Sequence, residues 1–163
     1  MKKASPNAYK LTTTFESCKL KAYKCPAGVW TIGIGHTFGV KEGMTITSQK
    51  ASELLVSDYI PIEAFINANL PNLNQNQFDA ICDFVFNIGV GNFKSSTAFK
   101  KIKANPNDTT IADSIRQWKY GGDGTKNKID DDGDGLIDEA GERQRLEGLI
   151  LRREAEIKLY YEK

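Results

Sequence analysis

FESCKLKAYKCPAGVWTIGIGHT, residues 15–37, is the stretch from which the rest of the chain can be read. It carries Glu16, then Cys25 after eight intervening residues, then Thr31 after five more. Residues 20–24 and 29–35 read as strands on either side of Cys25-Pro26-Ala27-Gly28, whose Pro in second place and Gly in fourth suit a type I turn. The pattern predicts a hairpin. With a two-residue loop, Cys25 and Thr31 would point to opposite faces, so a site shared by the two requires a bulge or a wider loop. Gly33 and Gly35 leave the second strand bare, which marks close approach by a ligand or by other backbone. His36 is the only histidine. Beside an apolar strand it reads as a structurally paired ring in preference to a catalytic base.

Upstream, Pro6 with Tyr9, Leu11 and Phe15 in helical register predicts a short helix with Glu16 at its C-terminal end. The helix dipole disfavours an anion there, which favours the protonated carboxyl that a general acid needs. Downstream the pattern turns helical. Ala51, Leu54, Leu55 and residues 58–66 form an amphipathic run that Pro61 is expected to interrupt. Asn74 with Gln77 resembles a capping box opening a helix that Gly89 ends. Ser96 opens a short helix stopped at Asn105-Pro106. Thr110 with Asp113 resembles another capping box, followed by the stripe Ile111, Ile115, Trp118. Leu146, Leu149, Ile150, Ile157 and Tyr160 are the expected buried face of a last helix.

A chain of 163 residues and 18.1 kDa is one domain, or two small lobes sharing a helix. Nine acidic and four basic residues fall in 123–147, a local net charge of −5, which leaves +6 on the remainder of a chain whose net is +1. A cationic body suits an anionic polymer such as a cell-wall glycan, and solvated Lys-rich helix faces give the same count. Three cysteines do not make a disulfide framework. Cys82 lies in an apolar helical pattern and reads as a core thiol. Residues 1–14 hold no apolar run long enough for a secretion signal or a membrane span.

Glu16, eight residues, Cys25, five residues and Thr31, with LKAY between the first two and TIGIGH at the third, resemble the phage-type lysozymes of glycoside hydrolase family 24. QFDAICDFVFNIG, GNFKSST, and Trp118 with YGG followed by GLILRREAE are similar to later motifs of that family in the same order. The resemblance implies an α+β, mostly helical, single domain over 1–163. Residues 1–60 would form a small catalytic lobe with a β-hairpin, and 61–163 a helical lobe, the two joined by a helix. It implies hydrolysis of the bond between N-acetylmuramic acid and N-acetylglucosamine in peptidoglycan, with inversion. Glu16 would be the acid, and Cys25 and Thr31 would hold the attacking water. It implies Asp58 as the partner of His36. It further implies a monomer made in the host cytoplasm and acting on the wall in the periplasm, with no cofactor for catalysis. Many members carry Asp where Cys25 stands. Asp is ionised at neutral pH unaided, whereas a thiol is an anion only where its surroundings favour the thiolate.

The segment 123–147 departs from the family. Asp130, Asp132, Asp134 and Gly135, then Ile137, give the Asp-x-Asp-x-Asp-Gly-x-Ile pattern that opens a calcium loop, with the Leu136 carbonyl as a further ligand. The twelfth position is Gly141, so a closing carboxylate comes from Glu139, Asp138 or Glu142; Glu139 is preferred, and the ion is expected to be structural. The plain alternative is a solvated acidic loop. A second function class also fits, a noncatalytic calcium-dependent wall-binding or scaffolding module on the same fold, favoured by Cys25 in place of Asp. No aromatic-plus-basic motif points to nucleic acid. A disulfide between Cys18 and Cys25 would cap the second site residue.

Overall fold

The computed structural model describes residues 1–25, 28–119 and 140–162, with side chains from Glu147 onward in the last segment. Helix α1 (Pro6–Phe15) opens on Ser5, whose side chain accepts from the Asn7 amide while Pro6 occupies the first turn, where its missing N–H costs nothing. The chain leaves the helix at Glu16, which is already extended. The buried positions of α1 are Ala8 and Thr12, with Tyr9, Leu11 and Phe15 half-buried around them.

Strands β1 (Lys19–Lys24) and β2 (Trp30–Gly33) pair antiparallel, Tyr23 opposite Thr31 and Lys24 opposite Trp30. Cys25 N–H donates to Val29 O at 3.0 Å and Gly28 N–H to Cys25 O at 2.7 Å. Gly28 has φ +75°. With Cys25 bonded to Val29 across the hairpin, three residues connect the paired ends, so the wider loop of the two sequence alternatives is the one used. Nearer its start β1 carries a second irregularity, since Lys19 pairs with Gly33 while Tyr23 pairs with Thr31. The surplus residues bond outward instead: Lys21 bridges Thr45, and Ala22 N–H donates to Met44 O at 2.8 Å. β2 ends at Gly33, two residues short of the sequence expectation. Gly33 (φ +64°) and Gly35 (φ +76°) turn the chain back so that Ile32 bridges His36.

Helix α2 (Ser48–Asn69) runs unbroken through Pro61, against the expected interruption. Pro61 and Ser57 both face solvent, so the Ser57 carbonyl freed by the missing N–H is open to water. Helix α3 (Gln75–Ile88) is the centre of the molecule. Its Asn74–Gln77 capping box forms, it ends at Gly89 (φ +82°), and every residue from Gln77 to Val85 is buried. A helix buried all round must be covered on all sides, and α1, α2 and α7 (Ala140–Tyr161) do this. A short helix α4 (Val90–Ser95), not legible in the sequence, leads to α5 (Thr97–Ala104) and α6 (Ile111–Arg116). Phe65, Phe93 and Phe99 pack ring against ring with centroids 5.4–6.2 Å apart, and Phe84 meets Phe93 edge-on at 5.9 Å. Each buried phenyl contributes about 1.5–3 kcal/mol.

Two expectations on the later helices are corrected. Thr110 makes no side-chain cap on α6: its hydroxyl donates to Asp108 at 2.8 Å and its backbone is already helical. The inner face of α7 is not an apolar stripe, since Arg152, Arg153 and Glu156 are buried beside Ile157 and Tyr160, while Ile150 is 41% exposed. These charges go inside because α3 offers Asp83 there. Among the described residues no helix is long and apolar enough to cross a membrane.

Candidate active site

Glu16 sits where α1 stops, with a side chain 27% exposed. Its Oε1 accepts from Arg152 Nη1 at 2.6 Å. Among the described residues Oε2 has no hydrogen-bond partner, and it lies 3.8 Å from where a Cβ on Gly35 would stand. The same added carbon would touch the Phe86 ring at 3.4 Å. Glycine at 35 therefore keeps this space beside the carboxyl clear, and Gly35 also lines a cavity of about 220 Å³ with Thr37, Phe38, Asp58, Phe86 and Gly89 among others. The cavity runs between the hairpin side and the α2–α3 side.

The hairpin presents the other two sequence-assigned residues. Because Tyr23 is opposite Thr31 and Cys25 is two residues further along, all three side chains belong to one face. Partial burial, then the charges of Glu16 and Cys25, push the Tyr23 phenol up, so both groups act on the same hydroxyl. Thr31 is buried, and its hydroxyl donates to Val29 O at 3.1 Å. With its proton committed, the oxygen is left as an acceptor. Cys25 is half-buried and free. The disulfide considered between it and Cys18 does not fit this fold. All of β1 lies between them, which by strand rise separates their Cα atoms by on the order of 20 Å, far beyond the ~7 Å a disulfide spans.

His36 is the structurally paired ring the sequence favoured. Nδ1 meets both Asp58 oxygens at 2.9 Å and Nε2 meets Phe38 O at 2.9 Å, which ties the hairpin's far end to α2.

The sequence did not reveal the support behind Glu16. Arg152 is 3% exposed. It donates from Nε to Asp83 Oδ2 at 3.0 Å and from Nη2 to Asp83 Oδ1 at 2.9 Å, with Nη1 left for Glu16. Burial works against its charge, but Asp83 and then Glu16 outweigh it and hold the guanidinium firmly protonated. Asp83 Oδ1 also accepts from Thr12 Oγ1 at 2.6 Å, so the Thr12–Tyr59 contact of 2.5 Å has Tyr59 as donor. Beside this chain, Arg153 Nη2 donates to Glu156 Oε1 at 2.6 Å and to Asn87 Oδ1 at 2.9 Å. Burial pushes the Glu156 carboxyl well above the usual carboxylate range, against the pull of Arg153. The available signal was the run Arg152-Arg153-x-x-Glu156 in helical spacing with Tyr160, and Thr12 one turn before Glu16.

The proposed calcium ligands Asp130, Asp132, Asp134, Leu136 and Glu139 lie outside the described residues. Among the described residues there is no cluster of His, Cys, Asp and Glu able to hold a metal.

A partly exposed carboxyl where the first helix gives way to a β-hairpin, with one oxygen anchored by an arginine of the last helix, is the layout of a lysozyme-like hydrolase. The chain belongs to the phage lysozyme family, whose model matches residues 13–156. It is similar to the endolysin of Acyrthosiphon pisum secondary endosymbiont phage 1, with 37% identity over 151 residues and 92% of each chain covered. It is also similar to the endolysin of Salmonella phage P22, with 42% identity over 114 residues, covering 66% of this chain and 77% of that one. Among solved structures, the muramidase domain of SpmX from Asticaccaulis excentricus superposes with a TM-score of 0.80 at 30% identity, covering all of both chains. A P22 lysozyme variant gives 0.72 at 34% identity, covering 99% of this chain and 100% of the other.

Proposed function

We propose that this peptidoglycan-hydrolysing glycosidase is a muramidase that cleaves the bond between N-acetylmuramic acid and N-acetylglucosamine, with Glu16 as general acid. The observation that carries the reading is the Oε2 of Glu16, without a partner among the described residues and beside the clear space at Gly35, while Oε1 is fixed by Arg152. A carboxyl held by one oxygen and open at the other is set to deliver a proton to a leaving glycosidic oxygen. The oxocarbenium-like charge that then develops on the sugar calls for water from the opposite side. Cys25 and Thr31 supply acceptors for that water's protons, Thr31 through an oxygen whose own proton is spent on Val29. Water held away from the acid attacks the face opposite the leaving group, so the reaction inverts the anomeric centre. The neighbouring sugars of the polymer supply the binding energy that positions the bond. No metal takes part in these steps.

Residues 1–60 act as the catalytic lobe and 61–163 as its helical support. The protein works as a monomer on the cell wall, reaching the periplasm after release. One calcium ion is bound by Asp130, Asp132, Asp134, the Leu136 carbonyl and Glu139. The reading is supported by alternating hard oxygen donors with a glycine where the loop must turn. The ion's contribution is to relieve carboxylate repulsion and to stabilise the fold. The test of the catalytic assignment is Glu16→Gln, which should fold as wild type yet fail to clear a peptidoglycan suspension; clearing within threefold of wild type would overturn it.

A further inference from the structure

We propose that Asp83 is a positioning residue for the catalytic acid: by occupying two of Arg152's three donor nitrogens from the buried side, it rations the guanidinium that Glu16 receives. The proposal rests on Glu16 acting as the acid. A general acid faces a conflict in this site, because a full arginine charge at 2.6 Å favours the carboxylate, and the carboxylate has no proton to give. Asp83 moderates that pull. Fully buried, it takes the Nε and Nη2 fork at 3.0 and 2.9 Å and leaves Nη1 alone for Glu16. Its own orientation is fixed from two further elements, by Thr12 of α1 at 2.6 Å and through Thr12 by Tyr59 of α2. Arg152 is thus pinned from behind, and the chain Tyr59–Thr12–Asp83–Arg152–Glu16 runs from the core to a partly exposed carboxyl.

Several other titratable groups face this chain. Arg153 and Glu156 come from α7, with Glu156 Oε1 3.6 Å from Arg152 Nε. Cys82 neighbours Asp83 on α3, its thiol pushed up by burial. Tyr23 and Cys25 face Glu16 from the hairpin. Of the two fully buried carboxyls beside Arg152, Asp83 is the one whose oxygens are all taken by donors. Oδ1 accepts twice and Oδ2 once, the pattern of a carboxylate. Glu156 is pushed toward its neutral form by burial and leaves Oε2 without a partner among the described residues. Of these two, Asp83 is therefore the one that places a negative charge against Arg152 in direct hydrogen bonds.

The sign follows. Activity is lost as pH rises through the point where the acid gives up its proton. Asp83→Asn removes a negative charge near Glu16 and hands it more of Arg152, both of which favour the anion, so the alkaline limb should move to lower pH by about one unit. The measurement is the pH dependence of kcat/KM on soluble peptidoglycan fragments, which reports the free enzyme. It is made for wild type, Asp83→Asn and Glu156→Gln, with Glu16→Gln as a separate check on the acid itself. The expected result is a downward shift in Asp83→Asn with activity regained at acid pH, an unmoved limb in Glu156→Gln, and no activity at any pH in Glu16→Gln. A limb in Asp83→Asn that stays at the wild-type position, or one that Glu156→Gln shifts equally far, overturns the role of Asp83 and leaves Glu16 as the acid. Activity in Glu16→Gln overturns the reading beneath it. Thr12→Val provides a route that keeps Asp83 in place should its Asn variant not fold. Stripping an O–H donor from Asp83 concentrates its charge on Arg152, so the limb should move upward, and a downward movement overturns the proposal.

Discussion

Replacing Arg152 by Met removes the fork from Asp83 while keeping a long apolar stem. The pair is 3% and 0% exposed, so solvent screens it little. Deleting one partner leaves Asp83 buried with Thr12 as its one remaining donor among the described residues, at 2.6 Å. Uncompensating a buried charge in this way costs about 3–5 kcal/mol. In a chain of this size each kcal/mol moves the melting temperature by about 2–4 °C, so a fall of roughly 10 °C is expected. The cost belongs to the stranded charge more than to lost packing. In an Asp83→Asn background the same substitution should therefore cost about 2 kcal/mol less, as a coupling between neighbours. Urea unfolding followed by far-UV circular dichroism, with the slope held common to the four proteins, gives the double-mutant cycle. A loss under about 1 kcal/mol in Arg152→Met, or an equal loss in both backgrounds, would refute the claim that Arg152 compensates a buried anion.

The remaining expectations concern Cys25, Glu156 and the acidic insertion. Cys25→Asp should keep substantial lytic activity while Cys25→Ala loses most of it, because the position asks for an acceptor; an Asp variant as inactive as Ala contradicts this in a turbidity assay. Glu156 has its carboxyl raised in the folded state above its ordinary value of 4.5. Its contribution is complete below that value and lost as pH rises through the higher folded one, so the stability of Glu156→Gln relative to wild type should increase with pH above 4.5, read from denaturant midpoints. Calcium at about a hundredfold its dissociation constant should add roughly 2.7 kcal/mol. Asp132→Ala with Asp134→Ala should abolish that gain, and calorimetric titration of chelator-stripped protein showing no saturable heat would leave the insertion a plain acidic loop.

The elements that local chemistry governs were legible in the sequence. Pro6, the Asn74–Gln77 box, Ser96 and Gly89 fixed most of the helix ends, because caps depend on residues a few places apart. The helix at Pro61 was misread because solvent, rather than a neighbouring residue, accommodates the freed carbonyl. Cys25 and Thr31 were assigned, but the loop width that sets them on one face was left open by a pattern that fits either count. The inner face of α7 was misread most. An apolar-stripe argument puts Leu and Ile inside, and only a partner on α3, 69 residues away in sequence, takes Arg152 into the interior. Glu16 was singled out from the sequence, while Arg152, Asp83, Thr12 and Tyr59 behind it were not, since their contacts exist only across four helices.

The central claim is that Glu16 protonates the leaving oxygen of a muramic acid glycoside. It is tested most directly by digesting purified peptidoglycan, reducing the new ends with borohydride and identifying the reduced sugar by mass spectrometry for wild type and Glu16→Gln. Reduced N-acetylmuramic acid from the wild type and no new ends from the folded Gln variant are expected. New ends on N-acetylglucosamine, or equal release by the Gln variant, would contradict it.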